Sequence, residues 1–141
     1  MYFLIYRSET TNHPTEEDLK FLLDRSRDRN KTMDITGMLL YFENKFMQLL
    51  EGNEQDVKLL YADICKDSRH GNVVTLKEGF AENRLFPGWS MSFRLVSKEE
   101  IANDPAYKDI YTPGSRGARE LVSLFNLLRG KSDGVNKQTQ L

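Results

Sequence analysis

The sequence predicts an α+β fold in which helices cover one face of a mixed β-sheet. Short segments with alternating apolar residues, two amphipathic helical segments and a central hairpin lead to this prediction. Their order is strand, helix, strand, strand, helix, strand, strand, followed by further helices. A crossover helix follows the hairpin, so both helices should lie on one face of a five-stranded sheet, with the C-terminal helices on or near the other. This βαββαββ arrangement is the ferredoxin-like sandwich.

The central hairpin, residues 35 to 52, carries an unusual polar residue. Its two apolar arms are joined by a polar turn at residues 43 to 45, and Phe46, Gln48 and Leu50 of the second arm share one face. Burying an amide without partners costs roughly 1–3 kcal/mol on protein mutational scales. Gln48 therefore needs a polar partner, and two remain open, either a group of the protein itself or a bound polar ligand.

The first strand, residues 2 to 7, places Tyr6 on the same face as Tyr2 and Leu4. Thr15 should begin the first helix, because Asp18 follows at the spacing of a capping box. One helix face then carries a buried stripe, which comprises Leu19, Leu22, Leu23 and Ser26. Asn30 ends this face. It either caps a fraying last turn or directs its amide at the ligand that Gln48 also addresses.

The second half of the domain repeats this pattern. Asn53 should cap a helix whose apolar stripe comprises Val57, Leu60, Tyr61 and Ile64, with Cys65 beside it as a small core residue. The helix should end near residues 67 to 70, with Gly71 as a stop signal, and Arg69 and His70 suit the carbonyl end of its dipole. Strands should follow at residues 73 to 81 and 89 to 96. In the last strand the inward residues should be Trp89, Met91, Phe93 and Leu95.

The chain divides into three predicted regions. Residues 1–97 form the folded domain, residues 98–130 a C-terminal helical extension, and residues 131–141 a disordered tail without periodicity. An apolar stripe at residues 121 to 128 is a candidate cover for the second face of the sheet, within the chain or against a partner subunit.

Composition excludes several classes of function. The chain has 141 residues, 39% of them hydrophobic and 29% charged, which suits one soluble domain. A net charge of −1 gives no reason to expect a nucleic acid or membrane partner. No apolar run is long enough to span a membrane and no secretory signal is evident, so we expect a cytoplasmic protein.

The counts of cysteine and histidine limit the possible sites. Cys65 is the only cysteine, which excludes an internal disulfide, and His13 and His70 are the only histidines, which excludes a three-histidine zinc site. We therefore expect no metal. The GxGxxG, Walker A and GxSxG motifs are missing, so the usual nucleotide-binding and hydrolase sites are not indicated.

Seven motifs occur in the order and at the spacing of one family. They are YRS at residues 6–8, DL at 18–19, SRxxN at 26–30, ITGMLLY at 35–41, FMQLLEG at 46–52, DSRH at 67–70 and FPGWSM at 86–91. From about Tyr2 to Phe93 the chain resembles the BLUF domains, which are sensors of blue light using flavin. The resemblance implies the ferredoxin-like fold and a flavin between the two helices. FAD is expected, with FMN or riboflavin as alternatives.

The resemblance also implies roles for individual residues. Tyr6 matches the photoactive tyrosine, Gln48 the glutamine between that tyrosine and the flavin, and Asn30 the asparagine at the pyrimidine edge. The remaining residues expected to bind the cofactor are Ser26, Arg29, Ile35, Asp67, Arg69 and His70. Trp89 and Met91 match the residues whose positions change during signalling.

The function implied is that of a blue-light photoreceptor rather than an enzyme. Light would drive proton-coupled electron transfer from Tyr6 to the flavin and leave the Gln48 hydrogen bond rearranged, and a partner protein would receive the signal. A homo-oligomer is also expected. One departure is Asp63, which replaces an arginine common in the family, and Arg29 is a candidate to compensate for it. The alternative is a light-independent protein-interaction module on the same fold.

Overall fold

A computed structural model describes residues 1–42, 44–88 and 90–95, with only the backbone given for Phe42 and Arg94. The predicted C-terminal extension, the predicted tail and Trp89 lie outside these residues. The elements are β1 (Tyr2–Thr10), α1 (Glu16–Thr32), β2 (Thr36–Phe42), β3 (Lys45–Gly52), α2 (Glu54–Lys66), β4 (His70–Phe80) and β5 (Ser92–Leu95).

The five strands form one mixed sheet in the order β4-β1-β3-β2-β5. Strand β1 is antiparallel to both β3 and β4, β2 is antiparallel to β3, and β5 is parallel to β2. This is the predicted ferredoxin-like α+β arrangement. It places β1 and β3 side by side in the middle of the sheet, so the side chains that these strands direct to the helices lie at the centre of the domain.

The predicted capping residue begins α1. Thr15 accepts a hydrogen bond from the Asp18 backbone N–H (3.1 Å), and the Asp18 carboxylate accepts one from the Thr15 backbone N–H (2.9 Å). The helix continues to Thr32 and ends at the C-cap Met33. Asn30 lies within the helix and is only 1% exposed, so its interpretation as a cap of a fraying turn is wrong.

Helix α2 also begins where the sequence predicts. The Asn53 side chain accepts hydrogen bonds from the backbone N–H groups of Gln55 (3.0 Å) and Asp56 (3.4 Å). The helix ends at Lys66, and β4 starts at His70, three residues earlier than expected. Gly71 therefore belongs to β4 and does not stop the helix.

The core between the helices and the sheet contains the predicted stripes. Leu19 and Leu23 of α1 and Val57, Leu60 and Ile64 of α2 are all buried against the sheet. Cys65 is exposed, so its expected place in the core is wrong. It follows Ile64 directly, and one residue along a helix turns the side chain by about 100°, away from the buried face.

The last strand is shorter than predicted. It runs from Ser92 to Leu95, with Met91 immediately before it. Met91 and Phe93 are buried as expected, whereas Leu95 is 61% exposed, so its predicted inward position is wrong. Neither helix in the described part of the chain is long and apolar enough to cross a membrane.

A candidate flavin site beside Tyr6 and Gln48

Tyr6 and Gln48 face each other on the two central strands. The register of β1 and β3 pairs them directly, so both side chains lie on the same face of the sheet. The Tyr6 hydroxyl donates a hydrogen bond to Oε1 of Gln48. Both residues are at most 5% exposed. The oxygen of the buried amide therefore has a partner within the protein, which was one of the two possibilities that the sequence left open.

The other end of the Gln48 amide points to Met91. Nε2 of Gln48 donates to the Met91 sulfur at 3.3 Å, and Met91 is completely buried. A thioether is a weak acceptor, so this contact holds the amide nitrogen less firmly than an oxygen acceptor would. The sequence placed Met91 in the signalling region but carried no indication of its contact with Gln48.

Asn30 presents an unused acceptor in the core. Its Nδ2 donates to the Ser90 carbonyl at 2.9 Å, while Oδ1 has no hydrogen-bond partner among the described residues. An unsatisfied buried acceptor costs about 1–3 kcal/mol. This oxygen is thus suited to accept a hydrogen bond from the N–H group of a bound ligand.

A cavity of about 480 Å³ adjoins the Tyr6–Gln48 pair, a size typical of small-molecule sites. Seven of the nine residues predicted to bind the cofactor line it, namely Tyr6, Ser26, Arg29, Gln48, Asp67, Arg69 and His70. Asn30 and Ile35 do not line it. They are buried and are linked by a backbone hydrogen bond from Ile35 to Asn30 (2.9 Å).

Other residues lining the cavity were not predicted as site residues. They come from the end of β1, the segment between β1 and α1, both helices, β2 and β3. They are Thr10, Thr11, Asn12, Pro14, Asp18, Leu19, Phe21, Leu22, Leu39, Phe46, Asp63 and Ile64. The loop residues Thr11, Asn12 and Pro14 carry no periodic pattern, so nothing in the sequence marks them as part of a site.

Arg69 and Asp67 form an ion pair at the cavity. Nε of Arg69 donates to both carboxylate oxygens at 2.9 and 3.0 Å, its Nη2 contacts Oδ2, and its backbone N–H also donates to Oδ1. These hydrogen bonds lower the pKa of Asp67 to about 2 and raise the pKa of Arg69. The Arg69 guanidinium is thus already engaged by a carboxylate.

Burial changes the ionisation of two further residues in the cavity. It raises the pKa of Tyr6, so the phenol remains protonated at neutral pH and can donate to Gln48. It lowers the pKa of Arg29, an effect opposed by the negative charge of Asp63. Arg29 and Asp63 both line the cavity, so the departure from the family pattern at position 63 places an acid beside this arginine.

His70 connects the sheet to the end of α2. Its Nε2 donates to the Ile64 carbonyl at 2.5 Å, as expected for a residue at the carbonyl end of a helix, and its Nδ1 lies 2.8 Å from the Ser8 hydroxyl. Nothing in the sequence indicates the Ser8 contact. No group of three or more potential metal ligands occurs within the described ranges.

The model of one protein family, "Sensors of blue-light using FAD", matches residues 1–92. The chain belongs to the BLUF family. This confirms the family expected from the sequence motifs. Trp89, one of the two expected signalling residues, lies outside the described residues.

Several BLUF proteins are similar to this chain. The blue light- and temperature-regulated antirepressor BluF of Escherichia coli K12 is 40% identical over 101 residues, which cover 70% of this chain but 25% of BluF. The photo-activated state of BlsA superposes with a TM-score of 0.78 at 28% identity, covering 90% of this chain and 93% of BlsA. The dark-state structure of BlrB gives a TM-score of 0.75 at 30% identity, covering 92% and 96% of the two chains.

Proposed function

We propose that this BLUF domain senses blue light through a flavin bound in the cavity beside Tyr6 and Gln48. The observation that supports this most directly is the buried series of hydrogen bonds from Tyr6 to Gln48 and from Gln48 to Met91 at the cavity. A purely structural amide would be stabilised best by two strong partners. Gln48 has one strong and one weak partner, which suits a group that must rearrange.

The residues present fit a flavin. A flavin ring has large apolar faces and a pyrimidine edge with both carbonyl and N–H groups. Leu19, Leu39 and Phe46 supply apolar walls. The Gln48 amide can both donate and accept, and the unpartnered oxygen of Asn30 can accept from an N–H group. Arginine and histidine side chains add further polar groups at the cavity.

FAD is the flavin that we propose, with support from the family to which the chain belongs. FMN and riboflavin remain alternatives, because the charges at the cavity favour a phosphate tail only weakly. Arg69 is paired with Asp67, and Arg29 lies near Asp63. A negatively charged tail would therefore meet one engaged arginine and one arginine whose charge is offset by an acid.

The bound flavin would absorb the light and accept an electron, and it is the source of the photochemistry. Tyr6 would give up an electron, and its phenolic proton would pass to Oε1 of Gln48, which it already contacts, while Nε2 of Gln48 would release a proton towards the flavin, so that the amide stays neutral. When the electron and proton return to Tyr6, the Gln48 side chain can remain rotated or tautomerised without a change in net charge. The rearranged amide no longer presents the same nitrogen to Met91.

The rearrangement at Met91 would carry the signal to a partner protein. Met91 directly precedes β5, so a change in its position acts on an edge strand of the sheet. We propose a protein partner, self-association of the chain and a cytoplasmic location, in line with the low net charge and the single cysteine. The C-terminal helical extension is the proposed contact surface.

The experiment that tests this function is flavin uptake. The full chain, purified and mixed with FAD, FMN or riboflavin, should quench flavin fluorescence and sharpen the flavin absorption bands. Asn30 does not line the cavity, so Asn30→Ala tests whether the flavin reaches its unpartnered oxygen: weaker binding than in Asn12→Ala would support that contact, and equal binding in the two variants would exclude it. A protein that takes up none of the three flavins would favour the light-independent interaction module.

A further inference from the structure

A buried carboxylate lies three residues after Gln48 on the same strand, on the opposite face of the sheet. Glu51 is 2% exposed. Its carboxylate accepts three hydrogen bonds, from the Thr36 hydroxyl (2.8 Å) and from the backbone N–H groups of Leu85 (2.7 Å) and Phe86 (2.7 Å). Three donors converging on one carboxylate offset the cost of burying it. Glu51 thereby ties the segment after β4 to the end of the hairpin.

Arg84 strengthens this attachment. Its Nη1 donates to the Thr36 hydroxyl (2.9 Å) and the Glu51 carbonyl (3.3 Å), and its Nη2 donates to the carbonyl and carboxylate of Asp34 (2.8 and 3.1 Å). Phe86 is completely buried beside these contacts. The turn at residues 84–86 is thus held by side chains and backbone at the ends of β2 and β3.

The same segment is held a second time, close to Gln48. Arg27 Nε donates to the Met91 carbonyl and Asn30 Nδ2 to the Ser90 carbonyl, both at 2.9 Å. Only residues 87–89 separate this second attachment, at residues 90 and 91, from the first attachment at residues 84–86. Because only three residues connect the two attachments, we expect a displacement at the first one to reach the backbone of Met91.

We propose that Glu51 is a positioning residue that keeps residues 84–86 in place, so that Met91 stays on Gln48 and the light-altered state returns quickly to the dark state. This inference rests on the proposed photoreceptor function. The Gln48 amide donates to Met91 in the structure, and we assign this arrangement to the dark state. Loosening the segment would make that arrangement harder to restore, because Met91 would occupy its position for a smaller fraction of the time.

The isosteric variant Glu51→Gln separates charge and hydrogen bonding from size. An amide has one acceptor oxygen and one N–H₂ group, whereas the three donors at this site contact both oxygens of the Glu51 carboxylate. The introduced amide would therefore direct its own N–H₂ group at one or more of these donors and lose that contact. Glu82→Gln is the matched control, because it makes the same chemical change at an exposed position in the same connection.

Two measurements on the full chain test the proposal. The first is the rate at which the flavin spectrum recovers in darkness after blue light. We expect this rate to be about fivefold slower in Glu51→Gln, which corresponds to the loss of one hydrogen bond. In Glu82→Gln it should stay within about twofold of wild type. The second is the NMR signal of the Met91 methyl group in flavin-free protein labelled at methionine methyls and assigned with Met91→Leu. It should shift or broaden in Glu51→Gln alone.

The two measurements distinguish the proposal from the function on which it rests. If wild type shows no light response, the photoreceptor function fails, and an unchanged Met91 signal in Glu51→Gln would overturn the positioning role independently. Recovery and Met91 signals that match those of Glu82→Gln would also overturn it. Should Glu51→Gln not fold, Thr36→Val, which removes one donor to Glu51 and the acceptor of Arg84 Nη1, decides by the same two readouts, with a recovery at least about fivefold slower than wild type expected.

Discussion

The hydrogen bond between Tyr6 and Gln48 can be tested by a double-mutant cycle that needs neither flavin nor light. The single variants are Tyr6→Phe and Gln48→Leu, and the cycle is completed by the double variant. Each substitution removes one partner of a pair in which both side chains are at most 5% exposed. The cycle therefore isolates the interaction on which the proposed photochemistry depends.

The magnitude follows from which group each variant leaves unpartnered. Tyr6→Phe leaves Oε1 of Gln48 without its donor, at a cost of about 1–3 kcal/mol. Gln48→Leu leaves the Tyr6 hydroxyl buried without its acceptor and also removes the contact with Met91. The double variant leaves neither group buried without a partner. Its loss in free energy of unfolding should therefore be about 1–2 kcal/mol smaller than the sum of the losses in the two single variants.

The assay is urea unfolding of the flavin-free chain, monitored by circular dichroism. Free energies of unfolding are compared between variants with one shared slope of free energy against urea concentration. Tyr41→Phe is the control, because its hydroxyl donates to Asn44 and not to Gln48. Its effect should add to that of Gln48→Leu. Additivity within about 0.5 kcal/mol for Tyr6→Phe and Gln48→Leu would refute the predicted hydrogen bond.

Three further predictions concern the ion pair at the cavity, the flavin tail and the C-terminus. The pKa of Asp67 is lowered from 3.8 to about 2. The ionised carboxylate should therefore stabilise the folded state fully above about pH 4, and this contribution should be lost as the pH falls towards 2. It should amount to about 1 kcal/mol after solvent screening, and Asp67→Asn should flatten this part of the acid-unfolding curve. Asp63→Arg should raise the affinity for FAD relative to riboflavin by about fivefold in fluorescence titrations, because it replaces an acid by a cation near the tail; an unchanged ratio would contradict this. Deletion of residues 118–141 should leave the light-induced spectral change intact and alter the oligomer size or abolish signalling, as measured by light scattering and by binding to the partner.

Local sequence signals predicted most of the fold. The capping residues Thr15 and Asn53 begin the two helices as expected, because a helix start depends on a few neighbouring groups. The alternation in residues 46–50 placed Gln48 in the core and indicated that it needs a polar partner, whereas its identification as a site residue came from the resemblance to the family. The errors lie at ends of elements, where β4 begins early and β5 is short, and at Cys65, whose exposure is decided by one residue of helical turn.

The contacts of the site were less predictable, because they join residues far apart in the sequence. Nothing near Gln48 in the sequence indicates that its amide nitrogen contacts the Met91 sulfur, 43 residues away. The attachment of Leu85 and Phe86 to the Glu51 carboxylate is likewise visible only when the connection before β5 folds against the hairpin. Resemblance to the family identified Tyr6 and Asn30, and the structure supplied their partners.

The measurement that tests the central claim most directly is the absorption spectrum of the flavin-loaded full chain in the dark and after blue light. We predict a flavin band that moves to longer wavelength on illumination and returns in darkness, with no such change in Tyr6→Phe even though that variant still binds flavin. A wild-type band that does not move, or a shift that persists in Tyr6→Phe, would contradict the proposed photochemistry.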